Sequence, residues 1–121
     1  MSYEFYKIAH LIGLIMLFSS LGAMLYHSSL GGKKSDTYRK SLAMIHGIGL
    51  LFLFVAGFGM LAKLQMHWPW PGWVLIKILI WVAMGGSIAI IYRKPKFSIY
   101  LMWILIILGA LAAYLAILKP E

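Results

Sequence analysis

The sequence predicts an all-α membrane protein built as a four-transmembrane-helix up-down bundle. Hydrophobic residues make up 63% of its 121 residues and charged residues only 12%, which is far from the balance of a soluble domain. Four apolar runs reach the roughly 20 residues that a helix needs to cross a hydrocarbon core of about 30 Å. The connections between these runs are short, so consecutive helices should lie antiparallel as neighbours.

The chain is predicted to form a single integral membrane domain, residues 1–121, with spans at about 5–25, 42–64, 72–92 and 98–118. The first run is too long for the apolar core of a cleavable signal peptide, so we expect it to stay in the mature protein. Gly31 and Gly32 mark the first turn. Pro69 and Pro71 end the second helix and begin the third, and Pro95 precedes the fourth.

The net charge of +8 is concentrated in two of the connections between helices. The basic residues there are Lys33, Lys34, Arg39, Lys40, Arg93, Lys94 and Lys96. Both connections lie on the same side of an up-down bundle, so the positive-inside rule predicts a cytoplasmic position for them and an outside position for both termini. The predicted location is a bacterial inner (cytoplasmic) membrane. The expected partner is the lipid bilayer, with anionic lipid at the basic loops, and not nucleic acid.

Composition excludes several kinds of chemistry. The chain has no cysteine, which rules out disulfides, thiolate metal sites, iron–sulfur ligation and a thiol nucleophile. No Asp or Glu lies within a predicted span, which argues against carboxylate proton relays and carboxylate metal sites. Ionisable side chains inside a membrane are costly, so they are the remaining candidates. These are His10, His46 and Lys77, with Lys7, His27 and Lys63 nearer the edges.

His10 lies about two turns below the predicted outer surface on the first helix. Two interpretations of it stay open. In the first, it is a buried histidine bonded to a carbonyl or to water. In the second, it is an axial ligand to haem iron or a proton-transfer group, and Gly13 leaves room for a flat ring.

Lys77 enters the third helix at a similar depth from the same side. Its ammonium could simply reach back to the interface, because helical side chains tilt toward the helix N-terminus. The alternative is an anionic ligand, since Lys7, Lys63 and Lys77 form a predicted outer cluster with few acidic neighbours. Glu4 is close enough in sequence to pair with Lys7. Haem propionates or another anion would fit the cluster.

His46 lies in a glycine-rich stretch of the second helix, with Gly47 and Gly49 beside it. Close helix packing through the small residues is the favoured interpretation, and an exposed face for a porphyrin is the alternative. His10 and His46 should differ in depth by roughly 12 Å, so they are not expected to share one haem. His27 is expected at the interface and exposed to solvent, although its depth would also allow it to pair with His46. His67 is expected at the opposite interface.

Short motifs resemble a group of small bacterial membrane proteins. Lys7 and His10 resemble the Lys-x-x-His opening of the HemJ-type protoporphyrinogen oxidases and of the related SirB and CopD-like families. Trp73 and Lys77 resemble the Trp-x-x-x-Lys start of their third helix. The resemblance implies that His10 ligates haem and that Lys77 matches a functional lysine.

The length and four-helix layout resemble the SirB family most closely, including Gly85 and Gly86 after the lysine of the third helix and Arg93 after the span. The HemJ pattern has an arginine toward the end of its first helix. Residues 19–24 of this chain read Ser-Ser-Leu-Gly-Ala-Met instead. The resemblance therefore supports the four-helix scaffold best.

The leading hypothesis is a small integral membrane protein that binds b-type haem or a porphyrin for redox or tetrapyrrole chemistry. Its candidate cofactor-binding residues are His10, Lys77 and His46, with His10 as the haem-iron ligand. The alternative is a structural accessory subunit of a larger membrane complex, respiratory or other, with no cofactor of its own. In that case the partners would be other membrane subunits or further copies of the chain. No catalytic residue is assigned.

Overall fold

The computed structural model describes residues 2–66 and 69–118. In these two ranges, four helical spans are long and apolar enough to cross a membrane, and no strand occurs. The helices are α1 (Tyr3–Ser29), α2 (Thr37–Lys63), α3 (Gly72–Gly86), α4 (Ile88–Ile91) and α5 (Ser98–Leu118), with a 3-10 turn at Pro95–Phe97. The all-α, four-span prediction is confirmed. The interfacial position predicted for His67 falls outside the described residues.

The first two helices extend beyond the predicted spans. α1 continues to Ser29 instead of ending near residue 25, and α2 begins at Thr37 instead of near 42. Hydropathy marks the part of a helix that suits lipid, whereas hydrogen bonding continues into the polar turns beyond it. Ser2 caps the start of α1 by accepting a hydrogen bond from the Phe5 N–H at 3.1 Å. Gly31, at a φ of 88°, supplies the left-handed turn that follows α1.

The third span is interrupted, whereas a single helix over 72–92 was predicted. α3 ends at Gly86 and α4 begins at Ile88, so Ser87 lies between two helical segments. The hydroxyl of Ser87 donates to the Met84 carbonyl at 2.7 Å, and such local bonds compete with the helical pattern. Two consecutive glycines, Gly85 and Gly86, weaken the helix at the same place.

The four spans form a bundle in which each helix contacts its neighbours along the chain. α1 contacts α2 most extensively, α2 contacts α3, α3 contacts α5, and α5 returns to α1. The two basic connections lie together at one end, which we call the basic end. The opposite end, where α1 begins, α2 meets α3 and α5 finishes, is called the tryptophan end.

The centre of the bundle is built around α1. Leu17, Leu21, Met24 and Leu25 are essentially inaccessible to solvent. α5 is the least buried span, and most of its large apolar side chains point away from the protein. Exposed apolar surface of this kind is what lipid covers. The chain is thus a multi-pass membrane protein.

Candidate functional site

A cavity of about 560 Å³ opens between the helices in the tryptophan-end half of the bundle. All four spans contribute to its wall, from Lys7 of α1 and Leu61 of α2 to Trp73 of α3 and Ile117 of α5. Small-molecule and cofactor sites usually occupy roughly 300–1,000 Å³ and are mostly apolar with a few polar groups. The cavity meets both descriptions.

His10 lines this cavity from α1 and is partly buried. Its Nδ1 atom is buried and has no hydrogen-bond partner within residues 2–66 and 69–118. A buried polar nitrogen without a partner is uncommon in folded proteins and calls for an explanation. The interpretation in which a protein carbonyl satisfies His10 therefore finds no support among the described residues.

Two lysines join His10 in the cavity wall. Lys77 reaches it from α3 and is partly buried, whereas Lys7, one helical turn before His10, is exposed. Lys77 lies near enough to His10 for its positive charge to act on the imidazole. Lys63 of the predicted lysine cluster is exposed and does not line the cavity. The structure thus brings together His10 and Lys77 as the sequence suggested, and reduces the cluster from three lysines to two.

Aromatic rings form one side of the cavity. Trp81 lies 5.5 Å from Phe54, Phe54 lies 4.9 Å from Phe58, and Phe58 lies 5.4 Å from Trp70, all between ring centroids. Phe54, Phe58 and Trp81 line the cavity, and Trp70 continues the row beyond its lining. The indole N–H of Trp81 donates to the Leu50 carbonyl at 3.0 Å, which fixes the ring against α2. Spacings of this kind are typical of favourable aromatic pairs. The sequence did not reveal this row, because its members come from α2, from α3 and from the connection between them.

The α5 side of the cavity consists mostly of small residues. Besides Ile117, the lining residues are Gly109, Ala112, Ala113 and Ala116, which recur at helical spacing on one face. A Cβ atom on Gly109 would lie 2.8 Å from the Phe18 ring. Leu14, Phe18 and Gly109 also border a second hollow of about 420 Å³ between α1 and α5. These three residues therefore separate the two spaces.

Gly13 does not leave room for a flat ring, as one interpretation supposed. Its Cβ position would lie 2.9 Å from the Gly49 carbonyl oxygen and 3.1 Å from the Leu53 N atom, so the backbone of α2 fills this space. Backbone atoms of α1 likewise fill the space beside Gly49. The favoured interpretation of the glycines near His46, close helix packing, is confirmed at Gly49, whereas Gly47 has open space around it.

His46 is buried outside the cavity. Its Nε2 atom lies 3.3 Å from the Met84 carbonyl oxygen, and because a carbonyl only accepts, Nε2 carries the donated hydrogen. The same carbonyl accepts from Ser87 beside the interruption of the third span. The structure gives His46 this role in helix packing and does not place it in the wall of the cavity that His10 lines.

The sequence did not predict a polar cluster at the basic end. His27, only 18% exposed, lies 2.7 Å from the Tyr92 hydroxyl through Nδ1 and 3.0 Å from the Asp36 carboxylate through Nε2. The expectation that His27 is exposed to solvent was wrong, because α1 runs on past residue 25 and meets both partners. Ser28 adds a bond of 2.7 Å to the Ile91 carbonyl. Asp36, the one acidic residue among seven basic ones in these connections, was the available signal.

The hydrogen bonds and the burial of this cluster shift the pKa values of Asp36 and Tyr92. The Lys33 N–H, which donates to the Asp36 carboxylate at 2.9 Å, lowers the pKa of that carboxyl, and His27 acts in the same direction. Burial raises the pKa of the Tyr92 hydroxyl, which therefore stays protonated at neutral pH. Tyr92 can then donate to Nδ1 of a neutral His27 ring while Nε2 donates to Asp36.

Within the part of the chain that the structure describes, no group of three or more His, Cys, Asp or Glu side chains converges on a point that could hold a metal ion. Haem requires no such group, since its iron takes one or two axial ligands from the protein. Comparison of the chain with protein family models, curated proteins and solved structures gives no match.

Proposed function

We propose that the chain binds a b-type haem or a free porphyrin in the cavity at the tryptophan end and serves redox or tetrapyrrole chemistry. One observation carries the proposal. A histidine with an unbonded buried nitrogen, His10, and two lysines, Lys7 and Lys77, line the same apolar cavity of about 560 Å³.

The donor set suits a haem or porphyrin. A neutral imidazole offers one nitrogen to iron, and the bound iron supplies one-electron chemistry. The Nδ1 atom of His10 makes no hydrogen bond to a described residue, so ligation through this atom would break none. Phe54, Phe58 and Trp81 supply flat apolar surface on one side, and ring stacking against a macrocycle stabilises it.

The two lysines suit the carboxylates of such a ligand. Bonds between an ammonium and a carboxylate are stronger than neutral hydrogen bonds, and more so where lipid and protein exclude water. Glu4, the acid nearest in sequence, forms no ion pair with a described residue. On the positive-inside rule, the tryptophan end faces outward from a bacterial cytoplasmic membrane, and the carboxylates point to that side.

Spectroscopy of the purified protein tests the proposal. The protein in mild detergent is titrated with haemin, and the Soret band is recorded for the wild type, for His10→Gly and for His46→Gln. We expect a shifted, saturable band in the wild type and in His46→Gln, and its loss in His10→Gly. Added imidazole should restore the band in His10→Gly, which separates ligation from a folding defect.

Two results would contradict this function. A wild-type spectrum that matches haemin in empty detergent micelles would show that the cavity takes no haem. A band that persists in His10→Gly but disappears in His46→Gln would move the ligand to the other half of the bundle. If membrane subunits co-purify with a protein that lacks the band, the structural accessory subunit replaces the haem protein, with exposed α5 as the first surface to examine for docking.

A further inference from the structure

Arg39, in the first turn of α2, is held partly inside the protein at the basic end. Its guanidinium carbon lies 5.6 Å from the centroid of the Tyr92 ring. Its Nε atom is buried and has no hydrogen-bond partner among the residues that the structure describes. Its charge also acts on His46, about two turns deeper in the same helix. Arg39 is therefore unlike a surface arginine that extends into water.

The Tyr92 ring that contacts Arg39 is held in place through its hydroxyl group. Its hydroxyl lies 2.7 Å from His27, and the other nitrogen of His27 lies 3.0 Å from Asp36. The Arg39–Tyr92 distance is in the range of a cation–π contact, which orients the guanidinium without neutralising it. The hydrogen bonds of His27 thus fix the ring against which the Arg39 guanidinium lies.

The only acid in the two basic connections is already engaged. Oδ2 of Asp36 accepts from His27 and from the Lys33 N–H. Within residues 2–66 and 69–118, no Asp or Glu side chain pairs with a lysine or an arginine, so Arg39 has no carboxylate there. A guanidinium stays charged at any physiological pH and carries five N–H donors but no acceptor. A half-buried group of this kind needs an anion.

The basic residues around Arg39 are otherwise exposed. Lys33, Lys34, Lys40, Arg93, Lys94 and Lys96 reach solvent, and the positive-inside rule accounts for them. That rule does not account for an arginine whose Nε is withdrawn from water and placed on a fixed ring. The first turn of a spanning helix lies near the level of the lipid headgroups. The nearest abundant anion at that level is a phospholipid phosphate.

We propose that Arg39 and the Tyr92 ring form a specific site for the phosphate of an anionic phospholipid. The guanidinium donates to two phosphate oxygens in the paired geometry that arginine favours over lysine. The exposed lysines raise the local concentration of anionic lipid without defining the site. This site is at the opposite end of the bundle from the cavity and stands independently of its ligand.

Lipid retention tests the site. The protein is purified in a mild detergent, incubated with phosphatidylglycerol, and examined by native mass spectrometry in the wild type, Arg39→Gln and Lys40→Gln. Lys40→Gln is the matched control, because Lys40 is the next residue, carries the same charge and is exposed. We expect Arg39→Gln to bind the lipid roughly ten-fold more weakly, in line with loss of a charged bidentate contact. Lys40→Gln should stay within about two-fold of the wild type.

Three further arms keep the result interpretable. Arg39→Lys retains the charge but loses the paired N–H donors of the guanidinium, so it should lose most of the lipid affinity while preserving the fold. Phosphatidylcholine should be retained far less than phosphatidylglycerol by the wild type. Inorganic phosphate at millimolar concentration should not displace the lipid; displacement at that level would mean that the site takes free phosphate. Equal losses in Arg39→Gln and Lys40→Gln, or full retention in both, would overturn the proposal.

Discussion

The Cβ position of Gly13 lies 2.9 Å from the carbonyl oxygen of Gly49, and that of Gly49 lies 3.0 Å from the carbonyl oxygen of Gly13. The backbones of α1 and α2 therefore touch at this crossing, in the manner of membrane helices that pack through small residues. The crossing also fixes the rotation of α1. Because His10 lies about one turn from Gly13, the same contact determines that His10 faces the cavity.

Adding one methyl group at the crossing should destabilise the bundle. Gly49→Ala places a Cβ against backbone atoms of α1, and overpacking of this kind costs about 1–3 kcal/mol. Gly47→Ala is the control, because nothing lies within 4 Å of its Cβ position, and it should be neutral or stabilising by up to about 1 kcal/mol. Thermal unfolding in detergent measures both. Equal stability of the two variants would argue against the close crossing.

Removal of the His46 side chain should destabilise the packing of α2 against the third span near its interruption. His46→Ala removes the donor at 3.3 Å from the Met84 carbonyl, and a hydrogen bond between membrane helices contributes about 0.6–1.7 kcal/mol. The lost packing adds to this cost. Denaturant titration should show His46→Ala less stable than His46→Gln, whose amide still donates. A larger loss in the glutamine variant would show that the hydrogen bond contributes little.

The carboxylates of a porphyrin should depend on the two lysines of the cavity. Lys77→Gln and Lys7→Gln should each weaken binding of protoporphyrin IX by roughly ten-fold, as measured by quenching of tryptophan fluorescence. Lys63→Gln serves as the control, since Lys63 is exposed and does not line the cavity. The dimethyl ester of the same porphyrin should bind all four proteins alike. An equal response to acid and ester would exclude pairing with the lysines.

Acid should release the Asp36 contacts in a defined pH range. Its folded pKa lies below the ordinary value of 3.8, so the unfolded chain takes up the proton first. The stability due to Asp36 is therefore fully present above the unfolded value and is lost as pH falls through the lower folded value. The stability difference between wild type and Asp36→Asn should shrink over the interval from about pH 5 to below the ordinary value of 3.8. A constant difference over that interval would contradict the lowered pKa.

The spans were predictable because lipid imposes a length and a composition on each helix. His10 and Lys77 could also be matched in depth, since each lies about two turns inside the same end of an antiparallel bundle. Their meeting in one cavity depends on helix rotation, which a single sequence does not specify. The Gly13–Gly49 contact sets that rotation. Predicting this contact would require knowing which glycines of the two helices face each other.

The basic end was missed for a different reason. Hydropathy ended α1 near residue 25, which left His27 outside the bundle. In the structure, polar hydrogen bonds extend the helix, and His27 joins Asp36 to Tyr92. Periodicity records apolar faces, so it carries no signal for polar contacts between the ends of separate helices.

The thin wall formed by Leu14, Phe18 and Gly109 bears on where a ligand would come from. On one side of it is the main cavity, and on the other is a hollow between α1 and α5, on the surface that meets acyl chains. Phe18 is the largest of the three residues that border both spaces, so a route from the hollow into the cavity would pass its side chain. A molecule arriving by that route would be drawn from solution in the bilayer, so its partition coefficient, rather than its aqueous concentration, would govern how fully the cavity is occupied.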